Sequence, residues 1–206
     1  MSIETGNSGF NSFSESSVEW CRANRVELFQ LSGQSLSSLK EAGKLFWDRI
    51  PEEIQEVKSV QTVVGIDLDH ISLKGTNWPL TGVQSQILFA NYKTSVEQLS
   101  KDLTVIKGNI ADYAEAAFRF YESTGMKLFD GKYAKTTTSE TSGMFKNRIY
   151  EIGDDTPENI VNDFSHPKRE EYGLRIKSWF TNGRGTYTFV FPLLVSKTAV
   201  NMGLIT

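Results

Sequence analysis

The chain has 206 residues, of which 39% are hydrophobic and 12% aromatic, and its formal net charge is −3. This apolar content supports a hydrophobic core and excludes a wholly disordered protein, and the length allows one large domain or two small ones. Residues 1–124 carry 11 basic and 16 acidic side chains, and residues 125–206 carry 11 and 9. Neither part has the clustered excess of Lys and Arg that is typical of nucleic-acid binding.

The cysteine content fits a reducing compartment or a particle assembled inside a cell. Cys21 is the single cysteine, so the chain cannot form an internal disulfide. The N-terminal residues have neither a basic segment nor an apolar segment, so we expect no signal peptide. The longest apolar stretch, Phe189–Val195, is interrupted by Pro192 and is far shorter than the roughly 20 residues that a membrane-spanning helix needs.

Residues 1–16 are rich in Ser, Gly and Asn and contain only two aromatic residues, Phe10 and Phe13. A segment with so few apolar anchors cannot offset the conformational entropy that is lost when its backbone becomes ordered. We therefore expect an arm that is flexible in the isolated chain. It would become an ordered assembly arm where another subunit provides pockets for the two phenylalanines.

Three helices are expected over residues 16–60. Ser16 and Glu19 form a capping-box pattern, which predicts a helix from this point to about Leu31. The apolar positions of Leu36–Ile50 predict a second helix. Pro51 then suits the first turn of a short third helix, because its missing N–H is not needed there.

Residues 62–73 change to an alternation of apolar and polar side chains, which predicts a strand or a small hairpin. The apolar part of this segment ends in Asp67 and Asp69, which would share one face of a strand. Thr81 and Gln84 form a second capping-box pattern, so we expect the next helix to begin there.

The strongest periodic signal follows this second capping box. Ten apolar residues recur at alternating intervals of three and four, as the a and d positions of a heptad repeat do. They are Phe89, Tyr92, Val96, Leu99, Leu103, Ile106, Ile110, Tyr113, Ala117 and Phe120. The pattern predicts one helix of roughly 40 residues from about Gln84 to Thr124, closed by Gly125. The sequence leaves open whether this seam packs within the chain or between copies of the chain.

Beyond residue 125 the pattern is typical of β structure. Asp130-Gly131 and Asn182-Gly183 are hairpin-turn signals, and the second lies between the expected strands Leu174–Phe180 and Thr186–Val195. Met144–Ile152 is expected to form a further strand. A short helix capped by Asp155 should follow it.

These elements predict an α+β fold. We expect an N-terminal helical half with one long heptad-patterned helix, followed by an antiparallel, β-rich C-terminal half. The corresponding regions are an arm at 1–16, a helical region at 17–124 with a short β insertion near 62–73, and a β-rich region at 125–206.

Two acidic sequence motifs are candidates for Mg²⁺ binding. Asp67 and Asp69 end an apolar strand, and Gly153-Asp154-Asp155 forms a second acidic motif. Oxygen ligands of this kind bind Mg²⁺, and the pair resembles the acidic strand end of phosphatases of the haloacid dehalogenase class. The resemblance implies a Mg-dependent phosphohydrolase. No alternation of strands and helices follows the first motif, so we interpret these residues as turn and helix-cap acids.

The other reactive side chains form no known catalytic or metal-binding spacing. His70 and His166 are isolated in the sequence, with no cysteine at a zinc-ligand spacing. Cys21 has no neighbouring histidine or basic cluster that would activate its thiol. We therefore expect a protein without a catalytic site, metal or cofactor, and not an enzyme.

Basic and aromatic residues are interleaved in the C-terminal half, as they are on surfaces that bind nucleic acid. The set comprises Lys146, Arg148, Arg175, Lys177 and Arg184, with Phe145, Tyr150 and Trp179. Glu151, Glu170 and Glu171 reduce its net charge. We therefore do not expect nucleic acid as a partner.

Together these features favour a non-catalytic structural or assembly subunit of a larger particle, such as a virion or a bacteriophage. It would act through self-association, and its partners would be copies of itself and other particle subunits. We expect it in the cytoplasm during synthesis and in the virion afterwards. A second hypothesis is a helical pore-forming toxin, because long amphipathic helices accompany the apolar run Phe189–Val195. Only this alternative involves a membrane.

Overall fold

In the part of the chain that the structure describes, two β-sheets share one central helix. The computed structural model describes residues 13–69, 82–129, 132–140, 148–154, 172–180, 188–189, 191–203 and 205. Helices and antiparallel strand pairs are both present in this part of the chain, which confirms a mixed α+β fold.

The described elements alternate along the chain. The helices are α1 (Glu15–Ala23), α2 (Leu36–Glu41), α3 (Gly82–Leu99), α4 (Ile110–Thr124) and α5 (Lys197–Asn201), with a 3-10 helix at Glu52–Ile54. The strands are β1 (Val26–Gln30), β2 (Leu45–Phe46), β3 (Val63–Asp67), β4 (Leu103–Lys107), β5 (Tyr133–Ser139), β6 (Arg148–Gly153), β7 (Gly173–Phe180), β8 (Thr188–Phe189) and β9 (Pro192–Ser196).

Each sheet combines strands from both parts of the sequence. The first sheet has the order β1-β3-β9-β4, and all of its pairs are antiparallel. The second has the order β2-β7-β6-β5-β8, with parallel pairs only at its two edges. Strand β9 therefore lies between β3 and β4, and β2 joins the sheet of β5 to β8. The strands on either side of residue 125 are interleaved.

Helix α4 packs against strands of both sheets and is buried along almost its whole length. Four alanines keep it narrow, so that the sheets approach it closely. Asn109 and Asp112 form a reciprocal capping box at its N-terminus, which satisfies N–H groups that the helix itself leaves unpaired. Gly125, with φ of +71°, ends it in the left-handed conformation that glycine adopts without strain.

The prediction of one continuous helix over residues 84–124 is wrong. Leu103–Lys107 is strand β4, and Val105 pairs with Leu194 of β9. Both faces of β4 are covered, since Leu103 belongs to one apolar cluster and Ile106 packs against another. Apolar residues at 103, 106 and 110 thus fit the helical spacing although the first two belong to a strand.

The expected N-terminal helices are shorter than predicted, so the helical half is not confirmed. The cap of α1 is Ser14, not Ser16, and the helix ends at Ala23. The following residues form β1 because they pair with β3, and residues after α2 form β2 because they pair with β7. Arg25, with φ of +55°, makes the turn between α1 and β1.

The β predictions are met in part. Strands lie within or across the expected segments at β3, β6, β7 and β9, but the expected pairing of Leu174–Phe180 with Thr186–Val195 is wrong. Strand β7 pairs with β2 and β6, whereas β9 pairs with β3 and β4 in the other sheet. Both predicted hairpin turns and the helix expected at Asp155 lie outside the described residues.

Among the described residues, two apolar clusters form the core. The larger surrounds α4 and includes residues of both sheets. The smaller lies beneath α1 and α3 and comprises Phe13, Cys21, Val26, Tyr92, Val96, Leu103, Val105 and Leu194. Phe13 is therefore buried in its own chain. Phe10 lies outside the described residues.

Leu103 and Leu99 allow a matched test of this arrangement, because both belong to the predicted seam. Leu103 is 0% exposed on β4, and Leu99 is 67% exposed at the end of α3. Leu103→Ala should lower the free energy of unfolding by about 2–5 kcal/mol, and Leu99→Ala by less than about 0.5 kcal/mol. Denaturant titration measures both, and equal losses would contradict the strand assignment.

Candidate functional site

The structure distributes the predicted seam over three elements. Phe89, Tyr92, Val96 and Leu99 lie on α3, Leu103 and Ile106 on β4, and Ile110, Tyr113, Ala117 and Phe120 on α4. All of them except Leu99 are buried or half-buried within the chain. The apolar spacing therefore marks the chain's own core.

The opposite face of α3 is exposed and carries no charge. From residue 86 onward its exposed side chains are Gln86, Ile87, Ala90, Asn91, Thr94, Ser95, Gln98 and Leu99, which we call the outer face of α3. The charged residues of this helix are Lys93 and Glu97, which are half-buried and face each other at 3.9 Å. The apolar periodicity identifies the buried side of α3, so this exposed face was not predicted from it. The scarcity of charged residues in Gly82–Leu99 does indicate such a face.

The hydroxyl groups on this outer face are already bonded within the helix. Thr94 Oγ1 donates to the carbonyl oxygen of Ala90 at 2.9 Å, and Ser95 Oγ donates to that of Asn91 at 3.0 Å. Burying these residues against another surface would therefore leave neither hydroxyl proton without an acceptor. This lowers the desolvation cost of covering the face.

Asp67 and Asp69 are occupied by protein donors. The buried Asp67 carboxylate accepts a hydrogen bond from the Tyr92 hydroxyl at 2.7 Å and one from the Asp69 N–H at 2.9 Å. Asp69 forms an ion pair with Arg25 at 2.8 Å. Burial, followed by the hydrogen bond to Asp67, raises the pKa of Tyr92 well above its ordinary value.

A cavity of about 420 Å³ opens beside this pair and is also lined by Trp20 and Leu99. Asp154 follows β6 in the other sheet, and Asp155 lies outside the described residues. No group of three or more His, Cys, Asp or Glu side chains within the described ranges could hold a metal ion. The second carboxylate motif is therefore not brought to Asp67, and both histidines lie outside the described residues.

A second buried carboxylate, Glu115 on α4, has many hydrogen-bond donors. It accepts from the N–H and hydroxyl of Ser32, from the Ser59 hydroxyl, and from the Arg119 guanidinium at 2.6 and 2.9 Å. Asp112, one turn earlier, accepts from the Val60 N–H at 2.7 Å. These contacts attach two connecting segments to α4. Sequence analysis did not single out either acid.

Burial also shifts the pKa values of two core side chains, Asp112 and Cys21. It raises the pKa of Asp112 to about 6, opposed by the hydrogen bonds from Val60 and Asn109. Burial, and secondarily the charge of Asp67, raises the pKa of the Cys21 thiol to about 12. A thiol with this pKa is a weak nucleophile at neutral pH, so Cys21 acts as an apolar core residue.

The predicted basic and aromatic set divides between the two faces of the second sheet. Arg175 and Lys177 alternate with Ile176, which faces the core, so they lie on the opposite face. The side chain of Tyr150 is buried in the core. Arg148 shares the Tyr150 face, and the remaining predicted side chains of the set lie outside the described part of the structure.

No family model matches the chain, and neither the curated proteins nor the solved structures contain a significantly similar protein. Among the described helices, none combines the length and the apolar character required to cross a bilayer.

Glu115→Gln should destabilise the protein by about 2–4 kcal/mol, because it removes a buried charge from Arg119 and places an amide N–H₂ against other donors. Glu122→Gln, three residues before Gly125, is the matched control. Glu122 is an exposed ion-pair partner of Lys44, so its loss should amount to less than about 1 kcal/mol. Thermal and denaturant unfolding measure the difference, and a small effect at Glu115 would contradict its role as an anchor.

Proposed function

We propose that this protein is a non-catalytic structural subunit of a larger particle, such as a virion or a bacteriophage, and that it self-associates through the outer face of α3. The observation that carries the proposal is an exposed helical face without a single charged side chain. Ile87 on this face is 53% exposed and Leu99 at its edge is 67% exposed. Charged residues are depleted, and apolar residues enriched, at the centres of protein interfaces.

The neutrality of the face suits a contact between identical copies. Across a two-fold axis each residue near the axis meets the same residue of the other copy. A charged side chain there would meet a like charge, whereas Ala90, Thr94 and Gln98 meet neutral groups. The described face extends about 20 Å along the helix. Ala90, near its middle, permits helix axes to approach to about 8–10 Å.

The N-terminal arm supplies a second proposed contact. Phe13 packs in the cluster beneath α3, together with Tyr92 and Val96. Ser14, at the cap of α1, also donates to Asp102 at 2.8 Å. Phe13, the first described residue, therefore lies close to α3. We assign residues 1–12, including Phe10, to the partner copy and Phe13 to the core of its own chain.

Ala90→Lys should weaken self-association at least about tenfold, because it places two ammonium groups close together across the two-fold axis. Lysine is a good helix former, so α3 itself should remain folded. Light scattering coupled to size-exclusion chromatography, over a series of protein concentrations, measures the change.

The matched control is Asn201→Lys, which adds the same charge at the exposed end of α5. It should associate as the unmodified protein does. Equal association of both variants, or a wild-type chain that stays monomeric at every concentration, would contradict the proposal.

Deletion of residues 2–12 should weaken assembly and leave the melting temperature nearly unchanged. Phe13→Ala, by contrast, should lower stability by about 3–5 kcal/mol, because Phe13 is buried in the smaller cluster. The two variants are compared by thermal melting and by sizing. Normal assembly of the truncated chain would show that the arm is not part of the interface. The Ala90→Lys variant would then test the α3 contact on its own.

A further inference from the structure

The cavity of about 420 Å³ beside Asp67 is lined by both apolar and charged side chains. Its volume falls within the range of roughly 300–1,000 Å³ that is usual for small-molecule sites. The apolar part of the lining comes from two helices, with Trp20 on α1 and Val96 and Leu99 on α3. The indole of Trp20 is half-buried and packs against the smaller cluster, so this part of the lining is held by the core.

The charged part of the lining is an ion pair. Val26 of β1 pairs with Asp67 of β3, so the residues just outside this pair, Arg25 and Asp69, are close together. Arg25 Nη1 donates to Asp69 Oδ1 at 2.8 Å, and the two side chains are 69% and 50% exposed. A guanidinium group has several N–H donors and a carboxylate has several lone pairs, so one contact leaves both groups able to bind a further partner.

The backbone of Arg25 supports a role for this side chain. Its φ of +55° lies in the left-handed region, which non-glycine residues other than Asn and Asp rarely adopt. The N–H of Leu68 donates to the Arg25 carbonyl oxygen at 3.3 Å, and the Asp69 contact fixes the guanidinium group. A glycine or an asparagine would make the same turn with less strain. Residues held in such conformations are concentrated at functional sites.

We propose that this cavity binds a free α-amino acid with an apolar side chain. The ammonium group of the ligand would donate to Asp69, and its carboxylate would accept from Arg25. Such charge-assisted hydrogen bonds are stronger than those between neutral groups. The zwitterion and the ion pair both have no net charge, so their charges match one to one. The apolar side chain of the ligand would cover Trp20 and Val96 and remove their apolar surface from water.

Binding at this cavity does not depend on self-association, because a single chain provides the whole lining. Arg25 precedes β1 and Asp69 follows β3, so neither belongs to the outer face of α3. Substitutions at these two positions therefore test the cavity without altering the proposed contact between copies. Their ion pair is exposed, and the loss of an exposed pair has little effect on stability.

The proposal is tested by calorimetric titration of the unmodified protein with three ligands that share a phenyl group. L-phenylalanine carries both charges, phenethylamine only the ammonium group, and 3-phenylpropionate only the carboxylate. L-phenylalanine should bind at least about tenfold more tightly than either of the others, because only it bonds to both Asp69 and Arg25. No binding of L-phenylalanine at millimolar concentration overturns the proposal. Binding of phenethylamine as tight as that of L-phenylalanine also overturns it, and would assign the cavity to an amine.

The role of the ion pair is tested by substitution. Arg25→Gln and Asp69→Asn should each raise the dissociation constant of L-phenylalanine at least about tenfold. Arg49→Gln is the matched control, since Arg49 is an exposed arginine paired with Glu52 outside the cavity, and it should bind as the unmodified protein does. Thermal melting verifies that the variants are folded. Equal binding by folded Arg25→Gln and Arg49→Gln would contradict the proposal.

A further measurement on the unmodified protein locates the ligand. Saturating L-phenylalanine should shift the indole N–H resonance of Trp20 in a nitrogen–proton NMR spectrum, where Trp20→Phe identifies the signal by its loss. The indole of Trp47, which lies against Gly173 of the second sheet, should keep its resonance. Binding without a shift at Trp20 would place the ligand elsewhere and overturn the proposal.

Discussion

The buried carboxylate of Glu115 joins α4 to two segments that are distant from it in the sequence. Ser32 follows β1, Ser59 precedes β3, and Arg119 lies one turn further along α4. Burying a charge is unfavourable unless hydrogen bonds and an opposite charge compensate it, and Glu115 has both. Since β1 and β3 form one edge of the first sheet, fixing the segments beside them to α4 also fixes that sheet against the helix.

Because α4 is buried, α3 is the one of the two long helices that presents an exposed surface. With both sheets packed around it, α4 has almost no exposed face, and the larger cluster contains no residue of α3. Among its described side chains, helix α3 packs over the smaller cluster through a narrow stripe centred on Tyr92 and Val96. More than half of its circumference is therefore exposed. Because this exposed side of α3 carries no charged side chain from residue 86 onward, it is the surface to which we assign the proposed self-association.

Particular residues explain why part of the fold could not be predicted from the sequence. A spacing of three and four at residues 103, 106, 110 and 113 is satisfied by a strand covered on both faces followed by a helix. Local signals for the break were present, because Thr104-Val105-Ile106 is β-branched and Asn109 is a preferred cap. The α+β class and the end of α4 at Gly125 could be predicted. The pairing of β9 with β4 could not, because it depends on residues about 90 positions apart.

Strand β4 connects the cluster beneath α3 to the second sheet. Leu103 of β4 belongs to the smaller cluster together with Tyr92 and Val96 of α3. Just beyond the other end of β4, the carbonyl oxygen of Gly108 accepts a hydrogen bond from the N–H of Thr137 on β5. Because the outer face of α3 is neutral, the proposed association through it should depend little on ionic strength, whereas contacts between charged side chains weaken as salt screens them over about 10 Å at 0.1 M.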